Sequence, residues 1–378
     1  MRATDQRRET QEMTTPYSER MDRWRVLLKT RGLNAALVTG PSAVFYLTGF
    51  RSDPMERFLG LWVPADGDGV LFVPQLDVAK AEQAAVGHRI IAVEDGDSPT
   101  ETLRRECGDA PCRCGVEKNR LSWRMSEKLA EGWPDTDFRD IGADLAAMIG
   151  RKTREEADCV RTAAAIGDRA LEDALGDFRR GMRERELAEA IDRRIGLAGG
   201  EGAAFATTVL SGPRTALPHG ETGERTIGDG DLLLIDMGVL YRHYRSDMTR
   251  TFLVGQGTPE QERLYETVKE AARRAVAAIT PGRPLAEADQ AARSWIDRQG
   301  YGGLFVHRVG HGLGLDIHEE PSIHGRNAAP VVPGMLFTIE PGIYMPGVGG
   351  VRIEDDVYVN EKGETETLTG FSRELRRL

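Results

Sequence analysis

The chain has 378 residues, 40% of them hydrophobic, enough for two ordinary domains with real cores. Its formal charge of -10 and the interleaving of 50 bases with 60 acids leave no basic footprint for nucleic acid, so no nucleic-acid partner is expected. No apolar run approaches the roughly 20 residues that cross a bilayer, so no membrane partner is expected either.

Residues 1–20 are polar and charged without an apolar stretch, which predicts an extension that is neither a signal peptide nor an anchor, and a cytoplasmic location. The spacing then predicts a helix over 21–31, a buried strand over 34–39, a short helix over 41–47, and strands over 58–63 and 70–73 joined at Asp66-Gly67-Asp68-Gly69. Helix and strand alternate to about Ala147, so residues 21–149 read as an α/β domain. No Gly-x-Gly-x-x-Gly or Walker pattern follows its strands, which argues against a nucleotide site. Cys107, Cys112, Cys114 and Cys159 match no common zinc spacing and read as ordinary small residues.

Gly150-Arg151-Lys152 interrupts the pattern, and Thr153 with Glu155 and Glu156 suits a helix start, so a second domain is placed at 150–378. Helices are expected over 154–178, 184–197, 259–279 and 286–299, with a strand over 205–210 and a strand-rich final third. Between them, residues 231–254 read as a β-hairpin. A turn centred on Tyr241 and Arg242 sets Asp236 directly opposite Asp247, with Cβ atoms about 5 Å apart. Bare carboxylates so placed repel, and a multivalent cation reverses the sign of that interaction. Downstream, His311, Glu340 and Glu354 complete a set of one imidazole and four carboxylates. That is too much negative charge for one catalytic zinc and suits two divalent ions.

The segments IDMG, SDMTRTF, GHGLGLDIHE, IEPGIY and VRIED closely resemble, in this order, the metallopeptidase family of methionine aminopeptidase, aminopeptidase P, prolidase and creatinase. The resemblance implies a pita-bread catalytic domain of α+β class, two pseudo-symmetric halves around a curved antiparallel sheet, behind a creatinase-type α/β N-terminal domain. It also implies ligand roles: Asp236 on one ion, His311 and Glu340 on the other, Asp247 and Glu354 bridging. Manganese is the expected metal, with cobalt and zinc as alternatives. A water between two such ions is activated as a nucleophile, and Glu340 is its expected proton acceptor.

His219 in LPHGE and His318 in LDIHEE match the family's histidines beside the substrate and are expected to donate to the carbonyl or oxyanion. His307, in HRVGHG, is expected to line the pocket, and Arg352, two residues before Glu354, to act from the substrate side or behind the ligands. The SDPMERF segment and the final third look most like bacterial prolidases, which implies an Xaa-Pro dipeptidase acting on small proline-containing peptides, as a homodimer. Aminopeptidase P activity on longer peptides is the first alternative; a metal-free creatinase-like hydrolase and a non-enzymatic binding relative predict lost ligands, and all five are present. Ser322 stands where archaeal-type prolidases carry an arginine, so Arg326 and Arg352 are the expected carboxylate partners, while the resemblance implies that the loop at 51–58, with Asp53, reaches across a dimer interface and narrows the neighbouring subunit's site to dipeptide length.

Overall fold

The computed structural model describes residues 16–85 and 87–378, in two units that divide between Ile149 and Gly150. Most of the expected polar extension, residues 1–15, lies outside the described residues. From Pro16 onward it is helix: Pro16–Thr30 begins five residues before the expected start at residue 21. The reason is that Arg20, polar by type, behaves as a core residue. Its guanidinium lies 4.3 Å from the centroid of the Tyr46 ring and donates to Tyr46 O at 3.1 Å, while the Tyr17 and Phe45 rings meet edge to face.

The first unit carries a six-stranded mixed sheet. In spatial order its strands are Arg89–Val93, Val70–Pro74, Gly60–Pro64, Ala35–Val38, Arg113–Val116 and Asp137–Asp140. Ala35–Val38 is central and buried along its whole length, which is why it reads as an unbroken apolar run. Trp62, Phe72, Leu103 and Trp133 pack in the core beside it.

In the second unit, Thr153 opens the helix Arg154–Gly176 with a reciprocal cap: its hydroxyl accepts from Glu156 N at 3.3 Å, and the Glu156 carboxylate accepts from Thr153 N at 2.6 Å. This helix and Glu184–Leu197 cover one apolar cluster, built with Leu233, Ile235, Met237, Met248 and Phe252 of the hairpin. Pro259–Ala278 and Ala286–Ile296 cover a second, built with Phe337, Ile339, Val351 and Val357. The strands lie on antiparallel ladders, Thr208–Ser211 with Leu232–Met237 and Met248–Leu253, and Glu319–Ile323, Gly310–Gly312, Leu336–Ile339, Asp355–Val359 and Thr365–Thr367.

The hairpin turns at Arg242 and His243, one residue later than expected, and both adopt positive φ, 47° and 70°. Neither is the glycine or asparagine such a turn favours; Arg242 N donates to Glu201 Oε1 at 2.9 Å, which holds the tip. The ladder therefore pairs Asp236 with Thr249, not with Asp247. A slip of two residues preserves the face, so the aspartates remain on one side of the hairpin as diagonal neighbours.

Candidate metal centre

Two ladders and one strand deliver the five expected ligands to one place. On the hairpin, Leu233, Ile235 and Met237 face the helices, which leaves Asp236 on the opposite face with Asp247. On the second ladder Ile339 pairs with Asp355, and extending that register by one residue sets Glu340 opposite Glu354. His311 lies on Gly310–Gly312, held against that ladder by its backbone N–H, which donates to Thr338 Oγ1 at 3.1 Å. The glycines around it are required by packing: a Cβ on Gly310 would lie 1.9 Å from Thr338 O, and one on Gly312 2.3 Å from Glu320 O.

His311 Nδ1 is 3.1 Å from Gly312 O, which fixes the proton there and presents Nε2 as a lone pair. Nε2 stands 3.4 Å from Glu340 Oε1 and 3.8 Å from Asp247 Oδ2. One ligand atom each from Asp247, His311 and Glu354 lies within 4.8 Å of the others, all three residues buried. Asp236 Oδ1 is buried with no hydrogen-bond partner among the described residues. In the chain alone, burial and then the neighbouring carboxylates push Asp247 and Glu354 well above the usual range, and burial brings Glu340 up to about 7. Burial, followed by His318, pushes His311 down to about 3, so it is neutral and able to ligate. Crowded acids, an unpartnered carboxylate oxygen and a neutral imidazole with an oriented lone pair are the donor set that divalent cations stabilise.

These groups line a cavity of about 350 Å³, together with Phe205, Pro218, His219, His307, Arg308, Ile317, His318, Tyr344 and Arg352. Residues 158–361 match Metallopeptidase family M24, and residues 20–148 match the Creatinase/Prolidase N-terminal domain. The chain belongs to metallopeptidase family M24. An Xaa-Pro dipeptidase from Bacillus anthracis is similar at a TM-score of 0.87 and 32% identity, over 96% of this chain and 100% of its own. A recombinant prolidase from Thermococcus sibiricus is similar at a TM-score of 0.90 and 32% identity, over 97% of this chain and 100% of its own. An uncharacterized peptidase from Staphylococcus aureus is 36% identical over 346 residues, 92% of this chain and 97% of that protein. The catalytic unit thus has the pita-bread fold of an M24 enzyme and follows a creatinase-type N-terminal domain in the sequence.

The M24 cavity holds most of the other expected residues. The His318 ring lies 4.2 Å from that of His311, centroid to centroid. His307 is on the wall, but both ring nitrogens are engaged, Nδ1 with Arg308 O at 2.8 Å and Nε2 with Tyr344 OH at 2.9 Å. Arg352 is buried among the ligands: it donates to Asp236 Oδ2, to Thr249 Oγ1 at 2.9 Å and to Tyr344 OH at 3.1 Å.

One expected substrate residue of the second unit is not on this wall. Arg326 is exposed, in a turn closed by Asn327 N donating to His324 O at 2.9 Å, which carries it past the end of Glu319–Ile323 and away from the cavity. Asp53 is exposed in the first unit, where its Oδ1 accepts from Met55 N at 3.4 Å. Conversely, sequence reasoning passed over Arg308, Tyr344 and Thr249. Each lies inside a segment that carries the family resemblance, HRVGHG, IEPGIY and SDMTRTF, and that membership is the signal that could have found them.

Proposed function

We propose that this chain hydrolyses Xaa-Pro dipeptides, holding two divalent cations between Asp236, Asp247, His311, Glu340 and Glu354. The observation that carries this reading is the convergence of those five side chains on the wall of one small cavity. Its volume lies near the lower end of the range for small-molecule sites, which suits a short peptide. The resemblance to a dipeptidase and a prolidase over nearly the full length supports the substrate class. Asp247 and Glu354 would each touch both ions, Asp236 one, and His311 with Glu340 the other. Bound there, the ions supply Lewis-acid activation of the scissile carbonyl and of the attacking water.

The chain's own groups supply the rest. Glu340 takes the proton from the attacking water on its carboxylate and passes it to the leaving proline nitrogen. His219 and His318 donate hydrogen bonds where negative charge develops on the carbonyl oxygen. Arg352 fixes Asp236 and, through Tyr344, the ring of His307. Four free cysteines suit a reducing compartment, and the reading includes a cytoplasmic homodimer using manganese, in which the Asp53 loop limits substrate length.

The test is to strip the metal by chelation, reload manganese, cobalt or zinc in turn, and assay Gly-Pro, Leu-Pro and Leu-Pro-Gly. Loading of two ions per chain with preferred cleavage of the dipeptides is expected. Asp236→Asn or Glu354→Gln should lower the stoichiometry and abolish turnover with the fold intact. Full activity in either variant with two ions retained would overturn the ligand assignment, and faster cleavage of the tripeptide would move the enzyme to the aminopeptidase reading.

A further inference from the structure

The cavity wall carries two guanidinium groups, Arg308 and Arg352, and they are in opposite electrostatic situations. Arg352 is 7% exposed, and its charge is met by Asp236. Arg308 is half-buried, and its one side-chain hydrogen bond among the described residues runs from Nη1 to a neutral partner, Ser322 Oγ, at 3.0 Å. No carboxylate lies within ion-pair distance of it among the described residues. A guanidinium has five donors in a planar fork and cannot shed its proton, so the remaining donors of Arg308 are available to a planar anion.

The position is built by the strands that carry the ligands. Arg308 precedes His311 by three residues, and Ser322 is the residue paired with His311 on the neighbouring strand. The serine hydroxyl therefore anchors the guanidinium beside the metal-ligand histidine. With Asp236, Asp247, Glu340 and Glu354 committed to the cations, Arg308 is the guanidinium on this wall whose charge no protein carboxylate answers among the described residues.

We propose that Arg308, oriented by Ser322, binds the terminal carboxylate of the substrate and thereby selects dipeptides over longer or blocked peptides. The assignment rests on the Xaa-Pro reading above. A bidentate guanidinium–carboxylate pair in a half-buried site is worth about a hundredfold in binding. In a longer peptide the carboxylate is displaced by at least one residue and the pair cannot form.

The experiment compares Leu-Pro with Leu-Pro amide, in metal-loaded wild type, Arg308→Ala and Arg308→Ala with Ser322→Arg, with the metal content of each measured. Wild type should favour the free carboxylate by about a hundredfold in kcat/KM. Arg308→Ala should bring the ratio of the two substrates close to one, mainly through KM, with two ions retained. Because Ser322 Oγ already touches the guanidinium, an arginine at 322 can return the charge to nearly the same place, and the double variant should recover at least tenfold of the preference.

If Arg308→Ala lowers both substrates in equal proportion, or strips a metal ion, the arginine is a scaffold residue and the proposal falls while the Xaa-Pro reading stands. A selective loss on Glu-Pro, with the Leu-Pro to amide ratio unchanged, would mean that Arg308 reads the first side chain, which also overturns it. If a fully loaded double variant recovers nothing, the carboxylate is not read at the place beside Ser322 that Arg308 occupies, and the proposal is overturned. If wild type cleaves neither Leu-Pro nor its amide, the Xaa-Pro reading itself fails.

Discussion

Thr249 donates its hydroxyl to Glu354 Oε2 at 2.6 Å and accepts from Arg352 Nε at 2.9 Å, so one buried side chain ties the hairpin to the ladder that carries Glu354. It is the residue that pairs with Asp236, which places it under both expected ligands. Thr249→Val keeps the volume and removes the hydroxyl, leaving a buried carboxylate oxygen and a guanidinium donor without this partner. Metal affinity should fall about 10- to 100-fold with the fold retained, as for other groups that hold a ligand from behind, and Thr249→Ser should recover most of it. Titration of the chelated protein with manganese reads this directly.

His219 and His318 line the cavity beside the five expected ligands. Their imidazoles are expected to act on developing charge. His219→Ala and His318→Ala should keep two ions per chain and lower kcat by about 10²- to 10³-fold, with KM changed much less. Loss of an ion from either variant would make that histidine a ligand and end the oxyanion role.

The convergence of the five expected ligands was legible in the sequence because an acid inside an apolar strand is costly to bury unless a cation answers it, and because the family-like segments kept their order. The hairpin register was read one residue short at the turn. Nothing in Arg242-His243 signals a positive-φ turn, since its support comes from Glu201, some 40 residues away in sequence. The face of Asp236 survived that error because the resulting offset is even. Arg326 and Arg308 show the opposite limit. Both are arginines near His311 in sequence, and only the path of the strand Glu319–Ile323 and the turn after it decides which one reaches the cavity.

His307 gives a pH prediction. Burial pushes it down to about 4, against about 6.5 in the unfolded chain, so the unfolded state binds more protons between those values. Stability associated with the neutral ring is complete above about pH 6.5 and is lost as the pH falls toward about 4. Comparing the chelated wild type with His307→Asn in urea at pH 7.5 and 4.5 cancels the common response of the carboxylates. The wild type should lose about 2 kcal/mol more than the variant over that interval. Parallel losses would show that the ring is not held neutral in the fold.

Arg250 carries a buried ion pair and several backbone contacts outside the expected metal centre. Its side chain is 1% exposed and donates to Glu354 O at 2.6 Å, Thr249 O at 2.9 Å and Phe371 O at 2.7 Å, and to the carboxylate of Asp355 at 2.6 Å. It thus fastens the backbone on either side of a ligand ladder to the segment after Gly370. Burial alone would raise Asp355, but Arg250 and Arg373 more than offset it and hold this carboxyl below its usual range. Arg250→Met fills the space and leaves the carbonyls without their donor and Asp355 with Arg373 as its ion-pair partner. Breaking a buried pair from one side costs about 3–5 kcal/mol, and the urea midpoint should fall accordingly. Arg250→Lys keeps the charge but not the fork that reaches five acceptors, Ser372 O among them, so it should recover less than half of the loss. A lysine variant as stable as wild type would mean that charge alone, and not the geometry of the guanidinium, holds this part of the fold.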